Sequence, residues 1–428
     1  MTRLLPNGMP LTEHRLANGL VLYLIENHSA PVFTYQTWFR VGSKDEKMDR
    51  RIGKTGLAHL FEHMMFRGTA SRPDGEFDRI MSENGVYDEN ATTWLDRTNY
   101  YQSLPADKLE LVMELEAERM TGLRIHSELL ETEKGAVVGE RNMGLDDPDT
   151  VAYEKLYELS FERHPYRYST IGTEEEIRSF TVEEAGYFYR RFYSPGNATL
   201  LIVGDVAPAS AIASVEKYYG AIPAENVTFE ETPREAAPVG AREAEITHPQ
   251  LTQEKVLIAY PVPEVTHPDS AALWIAQSLL TLGHGSALNL EWVNQGIAVE
   301  VKGSLDQFRD PGLIILAVDL QTGHSADELT LSLAAVLGRL AGMDTKSFER
   351  EVERARNQLL LRVFSQWEDS SSLASYLGEF IITAGTPDFG FRIAESVAKS
   401  TAAQVRDALA RYLVPERRTV VIARPQEK

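Results

Sequence analysis

The sequence predicts an α+β protein made of two homologous α/β sandwich domains, and three observations carry that expectation. The chain has 428 residues, too many for one ordinary domain. It repeats itself at a constant offset of 220 residues: RFYSPGNATLLI from Arg191 matches RYLVPERRTVVI from Arg411. Upstream, Thr181 opens TVEEAGYFYR as Thr401 opens TAAQVRDALA, and GLRIHSELLETEKGAVV from Gly122 pairs with GMDTKSFEREVERARNQ from Gly342. Two copies fall short of the three or more repeats a solenoid needs, so the pattern is a duplicated domain. Third, strand-like and helix-like runs alternate within each half.

The elements read in chain order. GLVLYLIEN and FTYQTWFRVG are rich in β-branched and aromatic residues and close on turn formers, the mark of strands. ADKLELVMELEAERM carries apolar residues at helical spacing over several turns. ATLLIVGD is a short apolar run, a buried strand. From Ala221 to Gln253 the chain is rich in Pro, Glu and Ala with no sustained period, the composition of a linker between two cored units. The expected domains are therefore residues 1–222 and 251–428, with 223–250 as linker.

Composition excludes several classes. There is no cysteine among 428 residues, so disulfides, thiolate nucleophiles and Cys-based zinc sites are ruled out. Any metal must be held by carboxylates and the ten histidines. A formal charge of −20 argues against nucleic-acid binding and favours cationic partners or a well-solvated surface. No apolar run reaches a membrane span, and the N-terminal stretch lacks the apolar segment of an export signal. The chain reads as cytoplasmic and bacterial as written, or periplasmic if an export signal was trimmed.

The chemistry concentrates in GLAHLFEHMMFRGT, residues 56–69. Positions i and i+4 of a helix lie one above the other, with i+3 beside them. His59 and His63 can thus aim both imidazoles at one ion while Glu62 stands next to it. This H-x-x-E-H order is a zinc-peptidase signature, and zinc suits imidazole where no thiolate exists. Two histidines and a glutamate buried together among Leu, Phe and Met need pairing or a metal. A catalytic zinc takes three protein ligands, so a third must come from elsewhere. In ELLETEKGAVVGERNMGLDDP, Glu133 and Glu140 are seven apart and share a helix face. One could be the third ligand and the other a hydrogen-bond partner of a ligand His; spacing alone leaves the choice open. Glu128 and Glu131 read as a solvated face.

These residues, with VGSKDE before the motif, MMFRGT within it, NATTWLDRTNYY, DDPDTVAYEKL, HPYRYSTIGTEEEI and YSPGNATLLIVGD, resemble the pitrilysin/insulysin family of zinc peptidases. The match is to the half-length type related to the mitochondrial processing peptidase, dense in the N-terminal half and looser beyond. The resemblance implies one zinc per chain held by His59, His63 and Glu140, with Glu133 hydrogen-bonded to a ligand His and Glu62 as general base. It also places Asn90, Ala91 and Thr92 on a strand that binds extended peptide substrates. It further implies that each chain forms half of a clamshell chamber, with metal ligands only in its first domain. Accordingly, the repeat offset carries Glu140 onto Leu360, and AALWIAQSLLTLGHGS, the counterpart of the metal helix, has no H-x-x-E-H.

One departure bears on assembly. Active relatives carry an Arg and a Tyr in a later domain that closes over substrate. The matching stretch here, GLIILAVDLQT, offers Ile314 and Thr322 at or near those places. The expected assembly is a dimer, either of identical chains or with a sister subunit that supplies the Arg/Tyr pair. The expected function is zinc endopeptidase action on peptides or unfolded segments, basic ones favoured. The alternative is a non-catalytic subunit of a heteromeric complex.

Overall fold

Alternating and continuous apolar runs become two sheets among the residues described by the computed structural model, 2–224, 227–236, 238 and 240–426. The first contains β1 (Thr2–Leu4), β2 (Pro10–Arg15), β3 (Val21–Glu26), β4 (Val32–Phe39), β5 (Tyr87–Thr93), β6 (Thr98–Pro105) and β7 (Ala198–Gly204). Their spatial order is β1-β2-β3-β7-β4-β6-β5. The second contains β8 (Arg242–His248), β9 (Lys255–Val262), β10 (Ala298–Asp306), β11 (Gly312–Leu320) and β12 (Thr419–Pro425), ordered β10-β11-β9-β12-β8. The run β3-β7-β4-β6-β5 thus reappears as β8-β12-β9-β11-β10, with β3/β7 and β8/β12 the parallel pairs in each. The duplication seen in the sequence is a duplication of sheet topology. The helix Ser270–Thr281 follows β9 as Leu57–Met64 follows β4, and it carries no histidine.

The central strands explain why the sequence reads as near-continuous apolar runs. Along β4, Phe33, Tyr35 and Phe39 enter one core while Trp38 enters another; along β7, Leu200 and Ile202 oppose Leu201 and Val203. A sheet covered on both faces needs apolar side chains on both. The helices Leu109–Gly122, Val182–Phe192 and Pro208–Tyr219 contribute to the first core.

The chain packs as two compact units whose borders depart from the expected ones. The first unit holds residues up to Asn142, Tyr168–Thr232 and Gln366–Phe391; the second holds Met143–Arg167, Pro233–Ser365 and the segment from Arg392 onward. In the first unit, Leu373, Leu377 and Ile381 of the helix Ser370–Ala384 pack with Trp38, Leu201 and Val203 on the second face of the sheet. In the second unit, the helix Pro148–Ser160 packs on β8, β9 and β12. Each sheet thus takes a covering helix from the opposite half of the sequence, which composition along the chain does not reveal. The stretch 223–250 is also not all linker, because Arg242–His248 is β8. As an edge strand it alternates half-buried and exposed residues, so it looks polar. Glu225, Asn226, Ala237 and Val239 of that stretch lie outside the described residues. Among the described residues no helix is long and apolar enough to cross a membrane.

The borrowed helix depends on one glycine. A Cβ on Gly378 would lie 2.0 Å from the Trp38 ring, which is 2% exposed and donates Nε1–H to Gln36 Oε1 at 2.8 Å. Gly378→Ala is expected to cost about 1–3 kcal/mol, read as a lower midpoint in thermal unfolding. An unchanged midpoint would mean that the helix does not dock as described.

Candidate metal centre

The helix Leu57–Met64 is fixed at both ends. It starts at Gly56, whose φ of 97° is left-handed and whose Cβ, if present, would lie 2.4 Å from the Ile171 carbonyl oxygen. Only glycine fits there. The buried Glu46 carboxylate accepts the N–H groups of Gly56 and Ala58, each at 2.8 Å, filling donors a helix start leaves free. Just past the other end, Met65 O accepts from Arg119 Nη1 at 3.3 Å. Arg119 is itself buried, paired with Glu116, and lies over the Phe77 ring at 4.2 Å. Leu57, Ala58, Leu60, Phe61 and Met64 are buried, and Phe61 packs against Phe188 and Tyr193 at 5.4 and 4.8 Å between ring centroids. His59, Glu62 and His63 form the remaining polar stripe.

The long helix Ser127–Leu145 brings the third group. His59 Nε2 lies 3.6 Å from Glu140 Oε1, and His63 Nε2 lies 3.4 Å from Glu140 Oε2. One ligand atom from each of the three falls within 4.8 Å of the others. Tetrahedral zinc with bonds of ~2.0–2.1 Å spaces its ligands about 3.3 Å apart, close to the contacts Glu140 already makes. Glu133, two turns earlier, is 1% exposed and lies behind His63, with Oε2 3.6 Å from Nδ1. Its Oε1 is 2.7 Å from Arg67 Nη2. Glu140 thus lies against both histidines, and Glu133 against one of them. Glu128 and Glu131 are exposed, as a solvated face requires.

β5 stands beside this cluster as the outermost strand of its sheet, paired among the described residues with β6 alone. Thr93 at its end donates its hydroxyl to Glu62 Oε2 at 2.5 Å. Of the residues expected to meet substrate, Asn90 is exposed and Ala91 is buried. The Thr92 hydroxyl donates to Asn99 Oδ1 at 2.6 Å and its carbonyl accepts from Arg97 Nη1 at 3.2 Å. Ile314 is fully buried within β11, and Thr322 lies past its end, accepting from Gln253 Nε2 at 3.2 Å. Sequence reasoning missed Thr93, Arg67 and Glu46. Arg67 lay four residues past His63, a helical spacing that was its only signal.

The electrostatics divide the groups by role. Burial pushes His59 down to about 4, with Glu140 opposing and His63 adding to the effect. His63 is raised to about 9 by Glu133 and Glu140. Burial raises Glu62, while the Thr93 hydroxyl opposes the shift. Glu140 is lowered by its contact with His63. His59 Nδ1, the ring nitrogen turned away from Glu140, is buried without a hydrogen-bond partner. An imidazole pair and a carboxylate whose atoms already converge form a donor set fitted to zinc.

Metal uptake should therefore displace a proton. His63 gains stability for the metal-free fold below its ordinary value of 6.5 and loses it as pH rises towards about 9, while a metal requires the neutral ring. Below that pH, apparent zinc affinity should rise about tenfold per pH unit, with close to one proton released per ion. Calorimetric titrations in buffers of different ionisation enthalpy measure this directly. No proton release at pH 7 would contradict the assignment of His63.

Fold and donor set together are compatible with a metal-dependent hydrolase. Residues 21–174 match the family model described as insulinase (peptidase family M16), and residues 179–359 match the peptidase M16 inactive domain. The chain belongs to peptidase family M16. It is 28% identical over 373 residues to the zinc protease PqqE of Helicobacter pylori, covering 86% of this chain and 82% of that protein. It is 23% identical over 419 residues to the mitochondrial-processing peptidase subunit beta of Lentinula edodes, covering 94% and 88%. The crystal structure of a protease from Helicobacter pylori superposes with a TM-score of 0.90 over 97% of this chain and 99% of that one, at 24% identity, and shares the fold.

Proposed function

We propose that the chain is a zinc-dependent endopeptidase that hydrolyses extended peptides or unfolded segments aligned along β5. The observation that carries this reading is Glu62: a half-buried carboxylate, held by Thr93 of the open strand edge and adjoining the His59–His63–Glu140 set. When bound there, zinc supplies Lewis acidity, lowering the pKa of a water and polarising a carbonyl.

The chain's own groups do the rest. The outer edge of β5 offers backbone N–H and C=O groups to a peptide main chain, giving affinity with little demand on sequence. Thr93 fixes the Glu62 carboxyl through Oε2, which leaves Oε1 to take the proton of the attacking water. Glu62 then delivers that proton to the departing amine nitrogen. Its raised pKa suits a group that must both accept and release a proton near neutrality. His59, His63 and Glu140 transfer no proton; they hold the ion, and Glu133 with Arg67 fixes the His63 ring.

The working assembly is a dimer, with a sister subunit completing the chamber and supplying an Arg/Tyr pair in place of Ile314 and Thr322. A relative named as a peptidase subunit supports this view. The test is cleavage of a quenched, basic peptide of modest length by the zinc-loaded chain, alone and with a sister chain lacking H-x-x-E-H. Cleavage that needs the sister supports the heterodimer, and cleavage by the chain alone replaces it with a homodimer. An intact peptide in both mixtures, with zinc bound, would overturn the peptidase reading.

A further inference from the structure

A cavity of about 410 Å³ opens beside Glu62 and His63, walled by Phe66, Asp78, Glu89 and Asn90. Its charges do not balance. Arg67 also lines it, but Arg67 is engaged by Glu133 at 2.7 Å and Asp74 at 3.5 Å. Arg119, whose charge reaches Glu89, is held in the core by Glu116. Among the described residues neither Asp78 nor Glu89 has an ion-pair partner, and Glu89 Oε1 is buried with no hydrogen-bond partner at all. A buried carboxylate oxygen without a partner costs free energy and calls for a ligand that supplies the missing donor.

The backbone is built to put it there. β5 pairs Tyr87 with Ser103 and Asn90 with Tyr101, so it spends three steps where β6 spends two. The extra residue is a bulge, and Asp88 within it has φ 55°, the left-handed region that non-glycine residues seldom adopt. Bulges re-aim side chains beside functional sites. The Asp88 carboxylate is held by the Ser371 hydroxyl at 2.6 Å, which fixes the distortion. Without the bulge, strict alternation would put Tyr87 and Asn90, three residues apart, on opposite faces; with it they oppose Ser103 and Tyr101, which share one. Burial raises the Glu89 carboxyl to about 7, with the Arg119 charge opposing and Asp78 adding to it.

We propose that this cavity receives one side chain flanking the scissile bond and selects lysine or arginine there, with Glu89 and Asp78 as the recognising carboxylates. Phe66 offers an apolar wall for the methylene stem. The inference rests on the peptidase reading and sharpens its substrate class from basic peptides in general to a cation at one position. The net charge of the chain does not account for such a preference, because a general field attracts a lysine anywhere along the peptide.

The test uses peptides that differ at one residue, lysine or its uncharged isostere norleucine, placed next to the scissile bond on either side or, as a control, at the far end. Two quantities are read. One is the lysine/norleucine ratio of kcat/KM for the zinc-loaded wild type, with the sister chain present where cleavage requires it. The other is the same ratio of affinities for the zinc-loaded Glu62→Gln chain, by fluorescence anisotropy. A ratio of roughly 10- to 100-fold is expected on one side of the cut only. It should collapse in Glu89→Gln and in Asp78→Lys, the latter on an exposed helix position where misfolding is no concern. A ratio near one beside the cut, or an equal preference at the far end, overturns the pocket and leaves the peptidase reading standing. Tighter, Glu89-dependent binding of the lysine peptide without cleavage by the chain, alone or with its sister, supports the pocket and counts against the peptidase reading.

Discussion

Glu62→Gln will lower peptide hydrolysis by about 10²–10⁴-fold, the usual share of a general acid–base residue, while the chain still binds one zinc. Glutamine is isosteric and its amide oxygen can still accept the Thr93 hydroxyl, which now lies 2.5 Å from Glu62 Oε2. It cannot take a proton from water. Initial rates on a quenched peptide, with zinc quantified in the same sample, separate chemistry from metal loss. Full activity in Glu62→Gln would remove the base from the mechanism, and loss of zinc would make Glu62 a ligand.

The second large effect falls on the metal. His59→Ala, His63→Ala and Glu140→Ala should each bring zinc from one per chain to near zero at micromolar concentrations and abolish hydrolysis. Three donors whose atoms lie within 4.8 Å of one another leave no spare ligand to compensate. Glu133→Gln should be milder, weakening zinc by about 10–100-fold, because residues that orient a ligand typically contribute on that scale. Its carboxylate lies 3.6 Å from His63 Nδ1 and is also bound to Arg67, so its loss frees the ring without removing a donor. Competition titrations with a fluorescent chelator rank the four variants. A Glu133 variant as empty as the Glu140 variant would interchange the two glutamates.

How much of this the sequence carries depends on how local each signal is. His59, Glu62 and His63 sit within five residues, and helical periodicity alone puts them on one stripe of an otherwise buried helix. Glu133 and Glu140 share a helix face, but which one meets both imidazoles depends on how Ser127–Leu145 packs against Leu57–Met64. Spacing left that open, and only family resemblance favoured Glu140. Thr93 reaches Glu62 because β5 lies beside the metal helix, a contact set by sheet order and not by chain distance. The same is true of Glu89, whose placement depends on a one-residue register slip that no alternation pattern announces. Sheet order also explains the misplaced domain borders. Nothing in the local sequence of the helices Pro148–Ser160 and Ser370–Ala384 says which sheet each will cover. β8 reads as linker in the sequence because an edge strand with one paired side keeps its polar alternation.

The central claim is that His59, His63 and Glu140 hold zinc next to Glu62 at the open edge of β5. Crystals of the Glu62→Gln chain grown with zinc and an extended peptide, measured on both sides of the zinc absorption edge, test it directly. The expected result is one anomalous peak about 2.0–2.1 Å from His59 Nε2, His63 Nε2 and a Glu140 oxygen, with the peptide main chain paired along Tyr87–Thr93. A peak elsewhere, no peak with zinc in excess, or a peptide seated away from β5 would contradict it.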